Sequence, residues 1–378
     1  MRNEVKSASG GEINKLRIAI FYDWLNQWGG AEKVLQDILN IFPQASLYTL
    51  IYNPKNTKWL PQKITVHPSI LNKFSFTKKN SLLQTPFYGL ALEQFDFSQY
   101  DIVISTTQVS GHCLLTSPKT LFVCYLHNIN RYLYQTPPQF KFLKPLLNKY
   151  KKTDFIYSQR PDYLLCNSLT VQKRILDNYH RTAQIINPGV DTSFFVPKKN
   201  PISEPYFLVV SRLVRHKRID LAINACHQLN QKLIIVGEGR DKQELLNLID
   251  KNPQSKVILL GKVSSKRLLL LYQNCQALIC PQIEDFGLAP IEAQACGKPV
   301  IALAKGGITE TVINDKTGIL YSNQTSDSLV EALTKFDSKN FSVLDCVNNA
   351  TNFSQANFML HFKQVINQLW QQHQTTIL

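Results

Sequence analysis

Short apolar runs typical of buried strands alternate with helical apolar patterns along most of this chain of 378 residues. Leu16–Tyr22 is predicted to form a strand, and apolar residues recur at helical spacing directly after it, from Ala31 to Leu39. Strands that alternate with helices favour parallel sheets whose faces are covered by helices. The alternation therefore predicts an α/β fold.

A proline-rich segment divides the alternation into two series. Pro197, Pro201 and Pro205 stand four residues apart, which excludes a helix there and disfavours a central strand. The length also suggests two domains of roughly 150 residues each. We predict a Rossmann-like domain over residues 1–196, a linker over 197–205, a second Rossmann-like domain over 206–353 and a C-terminal amphipathic helix over 354–378. The predicted strands cover 16–22, 101–105, 120–126, 163–166, 183–187, 206–210, 232–236, 256–260, 277–280 and 299–302.

The chain is basic because acidic residues are scarce. Lys and Arg number 42 against 27 Asp and Glu, which leaves a net charge of +15, and the 44% of hydrophobic residues excludes a disordered chain. Such a balance favours anionic partners, whether phosphorylated substrates, nucleic acid or an acidic membrane surface. The segment Phe140–Lys152 interleaves apolar and basic residues without an acid, which predicts peripheral association with an anionic membrane. An ordinary solvated helix is the alternative.

The cysteines and the N-terminal segment bear on localisation. The 8 Cys are dispersed without a C-x-x-C spacing, which predicts buried free thiols in a reducing cytosol. Met1–Lys15 lacks the apolar core of a signal peptide, and no apolar run approaches the roughly 18 residues of a membrane span. We expect a cytoplasmic protein with peripheral association at the inner face of the cell membrane.

The strongest candidate site is the segment Glu284–Glu292, which follows a predicted strand and runs into a predicted helix. Pro290 suits the first position of that helix and Glu292 its first turn. The backbone from Gly287 to Ala289 would then present free amides at a helix N-terminus, where anions bind. Two flanking carboxylates suit a ligand with hydroxyls and phosphates, such as a nucleotide sugar. The alternative is that Glu292 only caps its helix and that Glu284 is solvated.

A basic cluster provides the second candidate site. Arg212, Arg215, Lys217 and Arg218 lie within seven residues, directly after the strand predicted at 206–210. Ligands of α/β folds bind at the carboxyl ends of parallel strands, and cations placed there can clamp a diphosphate. A solvated charge run or a nucleic-acid patch is the more common role of basic clusters, but the position after a strand favours the diphosphate.

Two weaker candidates lie in the first domain. Gly29 and Gly30 stand between the first strand and the first helix, where glycine lets the backbone approach a phosphate or sugar closely. His127 follows the strand predicted at 120–126 and so lies at the carboxyl edge as well, although a lone histidine is usually a surface or core residue. A G-x-G-x-x-G fingerprint is absent from both halves, which disfavours a nicotinamide oxidoreductase.

Taken together, these residues resemble the retaining glycosyltransferases of family 4, which have the GT-B architecture of two facing Rossmann-like domains. The C-terminal helix resembles the one that crosses back to the first domain in that architecture. The resemblance rests on the order of several short elements, none of which is specific alone. These elements are Gly29-Gly-Ala-Glu32, Asn167-Ser168, Pro188-Gly-Val-Asp191, Arg212 with Lys217, Gly237-Glu-Gly239 and the two glutamates of 284–292.

The resemblance implies a donor site that needs neither a metal ion nor a cofactor other than the nucleotide sugar. Residues implied in catalysis are His127, Arg212, Lys217 and Glu284. Residues implied in donor binding are Gly29, Gly30, Arg212, Lys217, Val263, Glu284, Gly287, Leu288, Ala289 and Glu292.

The same resemblance implies a role for each group. Arg212 and Lys217 would hold the donor diphosphate, while Glu292 would bind the ribose hydroxyls and Glu284 the hydroxyls of the transferred sugar. His127 would contact that sugar near the reacting carbon. The remaining donor residues would meet the phosphate or sugar through their backbone, except Val263, which would lie near the base. Displacement on the same face, with the donor phosphate helping to deprotonate the acceptor, is the implied mechanism.

One segment bears on the identity of the donor. Tyr125–Tyr132 resembles the Y-C-H-T-P-M-R-Y segment of a mannosyltransferase-like subgroup and keeps His127, Arg131 and Tyr132, but it departs at 128–130. This implies GDP-mannose rather than UDP-glucose as the donor, with a glycan or a lipid-linked molecule as the acceptor.

Two other functions remain open from the sequence. A GT-B nucleotide-sugar epimerase would share the fold without transferring sugar to an acceptor. A non-enzymatic basic nucleic-acid-binding protein would account for the charge, but the chain has no interleaved aromatic and basic stacking motif, so no nucleic-acid partner is expected.

Overall fold

The computed structural model describes residues 15–73, 88–134, 144–198, 204–337 and 339–377. The chain divides into two compact units. Unit 1 comprises Met1–Asn167, Val171–Ile186 and Met359–Leu378, and unit 2 comprises Ser168–Thr170 and Asn187–Phe358. The predicted linker and the predicted membrane segment lie partly outside the described residues, at 199–203 and 140–143, so both remain predictions.

Unit 1 is built around a seven-stranded parallel sheet. Its strands are β1 (Ile18–Leu25), β2 (Ser46–Tyr52), β3 (Val66–Pro68), β4 (Ile102–Thr107), β5 (Leu121–Leu126), β6 (Tyr163–Cys166) and β7 (Gln184–Ile185). Their order is β3-β2-β1-β4-β5-β6-β7, so the winding changes direction between β1 and β4, where α/β sheets bind ligands. β4 and β5 are buried along their whole length, as expected of strands covered on both faces.

Unit 2 repeats this plan with a six-stranded parallel sheet. Its strands are β8 (Phe207–Val210), β9 (Leu233–Val236), β10 (Val257–Gly261), β11 (Leu278–Cys280), β12 (Val300–Leu303) and β13 (Gly318–Tyr321). Their order is β10-β9-β8-β11-β12-β13, which places the change of winding between β8 and β11. Buried apolar side chains form a core on each face of this sheet.

Helices connect the strands and complete both units. In the described residues the α-helices are α1 (Gly30–Ile41), α2 (Tyr88–Glu93), α3 (Arg131–Tyr134), α4 (Lys144–Tyr157), α5 (Leu169–Tyr179), α6 (Ile219–Gln228), α7 (Lys242–Asp250), α8 (Ser265–Asn274), α9 (Leu288–Ala295), α10 (Ile308–Thr311), α11 (Ser326–Asp337), α12 (Val343–Asn352) and α13 (Gln355–Ile377). The last helix contributes to unit 1 from Met359 onward. There Phe362 is fully buried, with its ring centroid 6.0 Å from that of Tyr125.

The prediction of two parallel-sheet, Rossmann-like domains is confirmed, and each predicted strand corresponds to an observed one with small shifts of its ends. The strand predicted at 183–187 pairs only over Gln184–Ile185. The prediction missed β2, β3 and β13. β3 and β13 are edge strands that are too short to show a periodicity. β2, in contrast, is rich in apolar and aromatic residues, and this composition could have predicted a strand.

All eight cysteines are buried free thiols, as their apolar surroundings predict. No helix within the described ranges has the combination of length and apolarity that crossing a bilayer requires.

Candidate functional site

Most of the predicted site residues lie at the carboxyl edge of the unit 2 sheet, where β8 and β11 are neighbours. The segment 211–217 follows β8, and the segment 281–287 follows β11. The winding changes direction between these two strands, and ligands of open α/β sheets bind at such a point.

An ion pair joins the two loops. Lys217 Nζ donates to both carboxylate oxygens of Glu284, at 2.7 and 2.8 Å, and Gln282 Nε2 donates to Glu284 Oε1 at 2.7 Å. Lys217 is 8% exposed, so its ammonium is held in a charge-assisted arrangement away from bulk water. An ammonium group has three N–H donors, and two of them are directed at Glu284. The third can meet a phosphate oxygen.

Local backbone geometry places Lys217. It ends a short 3-10 helix, Arg215–Lys217, and Arg218 then takes a left-handed conformation with φ 50°. Two glycines of the β9–α7 loop support the chain before this helix. A Cβ atom at Gly237 would lie 1.8 Å from Ser211 O, and one at Gly239 would lie 2.1 Å from Leu213 O. The Gly237-Glu-Gly239 element is therefore required for close packing of two backbones.

A second pair of glycines, which the sequence analysis did not single out, supports Glu284. A Cβ atom would lie 2.3 Å from Glu284 O at Gly306 and 2.2 Å from Asp285 O at Gly307. Gly307 N also donates to Glu284 O at 2.8 Å. Two adjacent glycines directly after β12 were the signal for this contact.

The helix α9 begins at Leu288, with Gly287 as its N-cap at φ 98°. Pro290 is therefore the third helical residue rather than the first, and Glu292 lies beyond the first turn, so both predicted positions were wrong. The helix tolerates Pro290 because N–H groups of the first turn have no intrahelical acceptor. The amides of Leu288 and Ala289 belong to this set, as predicted, and they are available to an anion.

Glu292 is buried and anchored rather than placed as a helix cap. It is 5% exposed, and the Tyr272 hydroxyl donates to its Oε2 at 2.8 Å. Burial, followed by the charge of Glu292 and this hydrogen bond, raises the pKa of Tyr272 well above its ordinary value. Tyr272 thus remains a donor that orients the carboxylate, a role that the sequence analysis missed.

Arg212 and Val263 lie on loops at the same edge but outside the ion pair. Arg212 is exposed, and within the described part of the chain no carboxylate forms an ion pair with it. Arg218 instead pairs with Asp220 at 3.0 Å. Val263 is half-buried in the loop between β10 and α8.

In unit 1, Gly29 and Gly30 start α1 at the carboxyl end of β1. A Cβ atom at Gly29 would lie 3.0 Å from Glu32 Oε2. Glu32 is buried and accepts hydrogen bonds from the Tyr22 hydroxyl at 2.7 Å and from Gln27 Nε2 at 3.3 Å. The Gly29–Glu32 element therefore forms a compact turn fastened to the strand.

His127 follows β5, at the same edge of the unit 1 sheet. Its Nε2 lies 2.9 Å from Thr106 Oγ1, and its ring meets Tyr125 edge to face at 5.3 Å. It is 7% exposed. One ring nitrogen is thus engaged by β4, and this contact sets the orientation of the imidazole.

The sequence analysis also missed Asp23, whose carboxylate is buried at the end of β1. It accepts hydrogen bonds from the loop that follows β4, at 2.7 to 3.2 Å. The donors are the Thr107 and Ser110 hydroxyls and the backbone amides of Gln108, Val109 and Ser110. Asp23 therefore ties β1 to residues 107–110, and its position shortly before the glycine pair was the available signal.

The site in unit 2 combines one fixed ammonium, an exposed guanidinium, free helix amides and oriented carboxylates. Cations and amides can stabilise negative charge that develops on a leaving diphosphate, and the carboxylates can accept hydrogen bonds from hydroxyls. Among the described residues, no three His, Cys, Asp or Glu side chains converge in a group that could hold a metal ion.

The part of the chain that carries this site is similar to known proteins. Residues 191–353 match the family described as "Glycosyl transferases group 1". Over 85% of its length, the chain is 26% identical to the alpha-1,3/1,6-mannosyltransferase ALG2 of Dictyostelium discoideum and spans 89% of it. An uncharacterised glycosyltransferase of Methanocaldococcus jannaschii is 28% identical over 46% of the chain. The chain spans about half of the length of that relative, 48%.

Solved structures share the fold along nearly the whole chain. HepE of Anabaena, in complex with UDP, has a TM-score of 0.71 at 19% identity, covering 93% of this chain and all of HepE. Sucrose-phosphate synthase of Thermosynechococcus elongatus has a TM-score of 0.73 at 18% identity, covering 94% of this chain and 99% of the synthase. These structures confirm the predicted GT-B fold class.

Proposed function

We propose that this protein is a retaining glycosyltransferase that moves a hexose from a nucleotide-diphosphate sugar to a glycan or lipid-linked acceptor. The observation that carries the proposal is the Lys217–Glu284 pair at the point where the unit 2 sheet changes its winding. The match of residues 191–353 to group 1 glycosyl transferases supports it. Neither the epimerase nor the nucleic-acid-binding alternative is favoured by these comparisons.

In the proposed reaction, Lys217 and Arg212 neutralise the departing diphosphate, and the amides at the start of α9 bind its oxygens. Glu292, oriented by Tyr272, accepts hydrogen bonds from the ribose. Glu284 binds the transferred sugar and keeps the Lys217 ammonium in place. We assign His127 to the sugar near its reacting carbon, and the leaving phosphate to the deprotonation of the acceptor.

We propose mannose as the hexose and GDP as the nucleotide. The partial match at Tyr125–Tyr132 supports this assignment, as does the similarity to a protein named as a mannosyltransferase. HepE shares the fold and has been solved with UDP and glucose. UDP-glucose is therefore the donor to compare with GDP-mannose.

A donor panel tests the proposed function. We expect GDP and GDP-mannose to raise the Tm more than UDP and UDP-glucose do, because a ligand that binds the folded state stabilises it. Hydrolysis of GDP-mannose without acceptor should also exceed that of UDP-glucose. Preference for the uridine donor would refute the mannose assignment alone, whereas the absence of any Tm shift across the panel would refute the donor site.

We expect turnover to persist after thorough treatment with EDTA. Cationic side chains and helix amides occupy the place that a divalent metal would take beside the diphosphate. Initial rates with and without EDTA check this. Complete loss of activity that magnesium or manganese restores would contradict the proposed mechanism.

Peripheral association with an anionic membrane remains part of the proposal. On α4, the side chains of Lys149, Lys152, Phe155 and Ile156 are exposed, which combines basic and apolar character on one helix. Flotation with anionic and neutral vesicles distinguishes this proposal from an ordinary solvated helix.

A further inference from the structure

Two tryptophans, one exposed and one half-buried, form an aromatic pair at the carboxyl edge of the unit 1 sheet. The rings of Trp28 and Trp59 have centroids 5.0 Å apart and are tilted by 55°. Trp28 follows β1 and Trp59 follows β2, so the pair bridges two neighbouring loops of this edge. Trp28 is 41% exposed. An aromatic side chain this accessible, at the edge where α/β sheets bind ligands, offers an apolar face to a ligand.

Hydrogen bonds fasten the two loops to each other and hold the pair in place. Trp59 Nε1 donates to Gln27 O at 3.3 Å, and Asn56 Nδ2 donates to Asn26 O at 2.9 Å. Gln36 Nε2, on α1, donates to Trp59 O at 3.0 Å. The aromatic surface is therefore built into the fold rather than carried on a free loop.

The surroundings of the pair are polar and contain hydrogen-bond donors. Trp28 immediately precedes Gly29 in the chain, and Gly29 is the N-cap of α1. Lys55 and Lys58 are exposed on the loop that carries Trp59. An aromatic face beside flexible cationic donors matches a pyranose ring, whose C–H groups are apolar and whose rim consists of hydroxyls.

We propose that Trp28 and Trp59 form a stacking platform for a sugar ring of the acceptor saccharide. This inference rests on the proposed function. The family resemblance implies that the nucleotide base binds in unit 2 near Val263, so the aromatic pair of unit 1 is assigned to a saccharide. The C–H face of the ring packs on Trp28, and Lys55 and Lys58 donate to hydroxyl oxygens. A nucleobase or a second copy of the chain would be a different occupant, and the test separates these.

The chain has four tryptophans, all in unit 1. Labelling with 5-fluorotryptophan therefore yields a fluorine NMR spectrum with one resonance for each of the four. The resonance that disappears in the Trp28→Phe variant identifies Trp28. We titrate the labelled protein with α-mannotriose and maltotriose. We expect the Trp28 resonance to shift with at least one trisaccharide while that of Trp370, on α13, stays in place.

Variants then test whether stacking causes the binding. Trp28→Ala should weaken trisaccharide binding about tenfold, because the C–H face of the sugar loses the apolar surface on which it packs. Trp28→Phe should restore most of it. A given nucleotide, GDP or UDP, should raise the Tm of the wild type, Trp28→Ala and Trp28→Phe by the same amount, because the platform does not bind the nucleotide.

Several outcomes would overturn the platform. These are a Trp28 resonance that neither trisaccharide shifts, equal binding by the wild type and Trp28→Ala, and a resonance that nucleotides shift instead. Dimerisation that Trp28→Ala abolishes, in the absence of trisaccharide binding, would also overturn it. The nucleotide Tm shifts are read separately, so failure of the platform is distinguishable from failure of the donor site.

Discussion

Replacing Lys217 with Ala should lower kcat by on the order of 100-fold or more, the usual effect of deleting one fixed charge stabiliser. The ammonium is positioned before the donor arrives, because Glu284 holds it at 2.7 and 2.8 Å. In the proposed reaction, it would therefore stabilise the leaving diphosphate without reorganisation. Arg212→Ala should have a similar effect, since the exposed guanidinium can close onto the same phosphates. Steady-state rates with the preferred donor measure both effects.

Arg215 and Arg218 provide matched controls on the same segment. Arg215 is exposed, and Arg218 is engaged by Asp220, so Arg215→Ala and Arg218→Ala should leave kcat nearly unchanged. The Tm of each variant separates a catalytic loss from a folding defect. If all four substitutions reduced kcat by the same small factor, the cluster would be a solvated charge run and the donor site would lie elsewhere.

Replacing Asp154 with Asn should lower the free energy of unfolding of unit 1 by on the order of 3 kcal/mol, since breaking a buried ion pair leaves its partner charge uncompensated. Asp154 Oδ1 lies 2.9 Å from His112 Nε2, and its Oδ2 accepts from the Tyr179 hydroxyl at 2.8 Å. His112 and Asp154 are both buried. Urea unfolding followed by tryptophan fluorescence reports on this unit, because all four tryptophans belong to it.

Asp177 is the matched control for this prediction. It forms an exposed pair with Lys173 at 3.4 Å, one helical turn away on α5. Asp177→Asn should change the free energy of unfolding by less than about 0.5 kcal/mol, because surface ion pairs contribute little. Equal effects of the two substitutions would show that the buried pair has no special role in stability.

The effect of Asp154→Asn should depend on pH. Burial lowers the pKa of His112, but Cys113 and Asp154 together raise it by more, so that it lies well above its ordinary value. A raised folded pKa means that protonation stabilises the fold fully below the unfolded pKa of about 6.5. This stabilisation is lost as the pH rises through the folded pKa. The difference between wild type and Asp154→Asn should therefore shrink at alkaline pH.

Predictability differed among the elements of the site. Lys217 and Glu284 were both singled out, because each follows a strong strand signal and local order alone places it at the carboxyl edge. Their mutual ion pair was not foreseen, since 67 residues separate them and only the adjacency of β8 and β11 brings them together. Gly306 was overlooked for the same reason. Only glycine fits at this position because a Cβ atom would clash with Glu284 O, which is distant in the sequence.

The start of α9 shows where local rules failed. Proline at a first helical position is a statistical preference, but the positive φ of Gly287 sets the start at Leu288. Glycine adopts a positive φ readily, but a local pattern does not show which of residues 287–290 begins the helix.

The α/β class, the two series of strands and helices, and the strand ends at which the candidate site residues lie could all be read from the amino-acid sequence. Apolar periodicity and turn residues act over a few residues and can be read from a single chain. The folded structure was needed to show which strand ends are neighbours, and therefore that Lys217 meets Glu284, that Tyr272 orients Glu292 and that Trp28 pairs with Trp59. These contacts depend on the order of strands within a sheet, which long-range packing sets and local patterns do not encode.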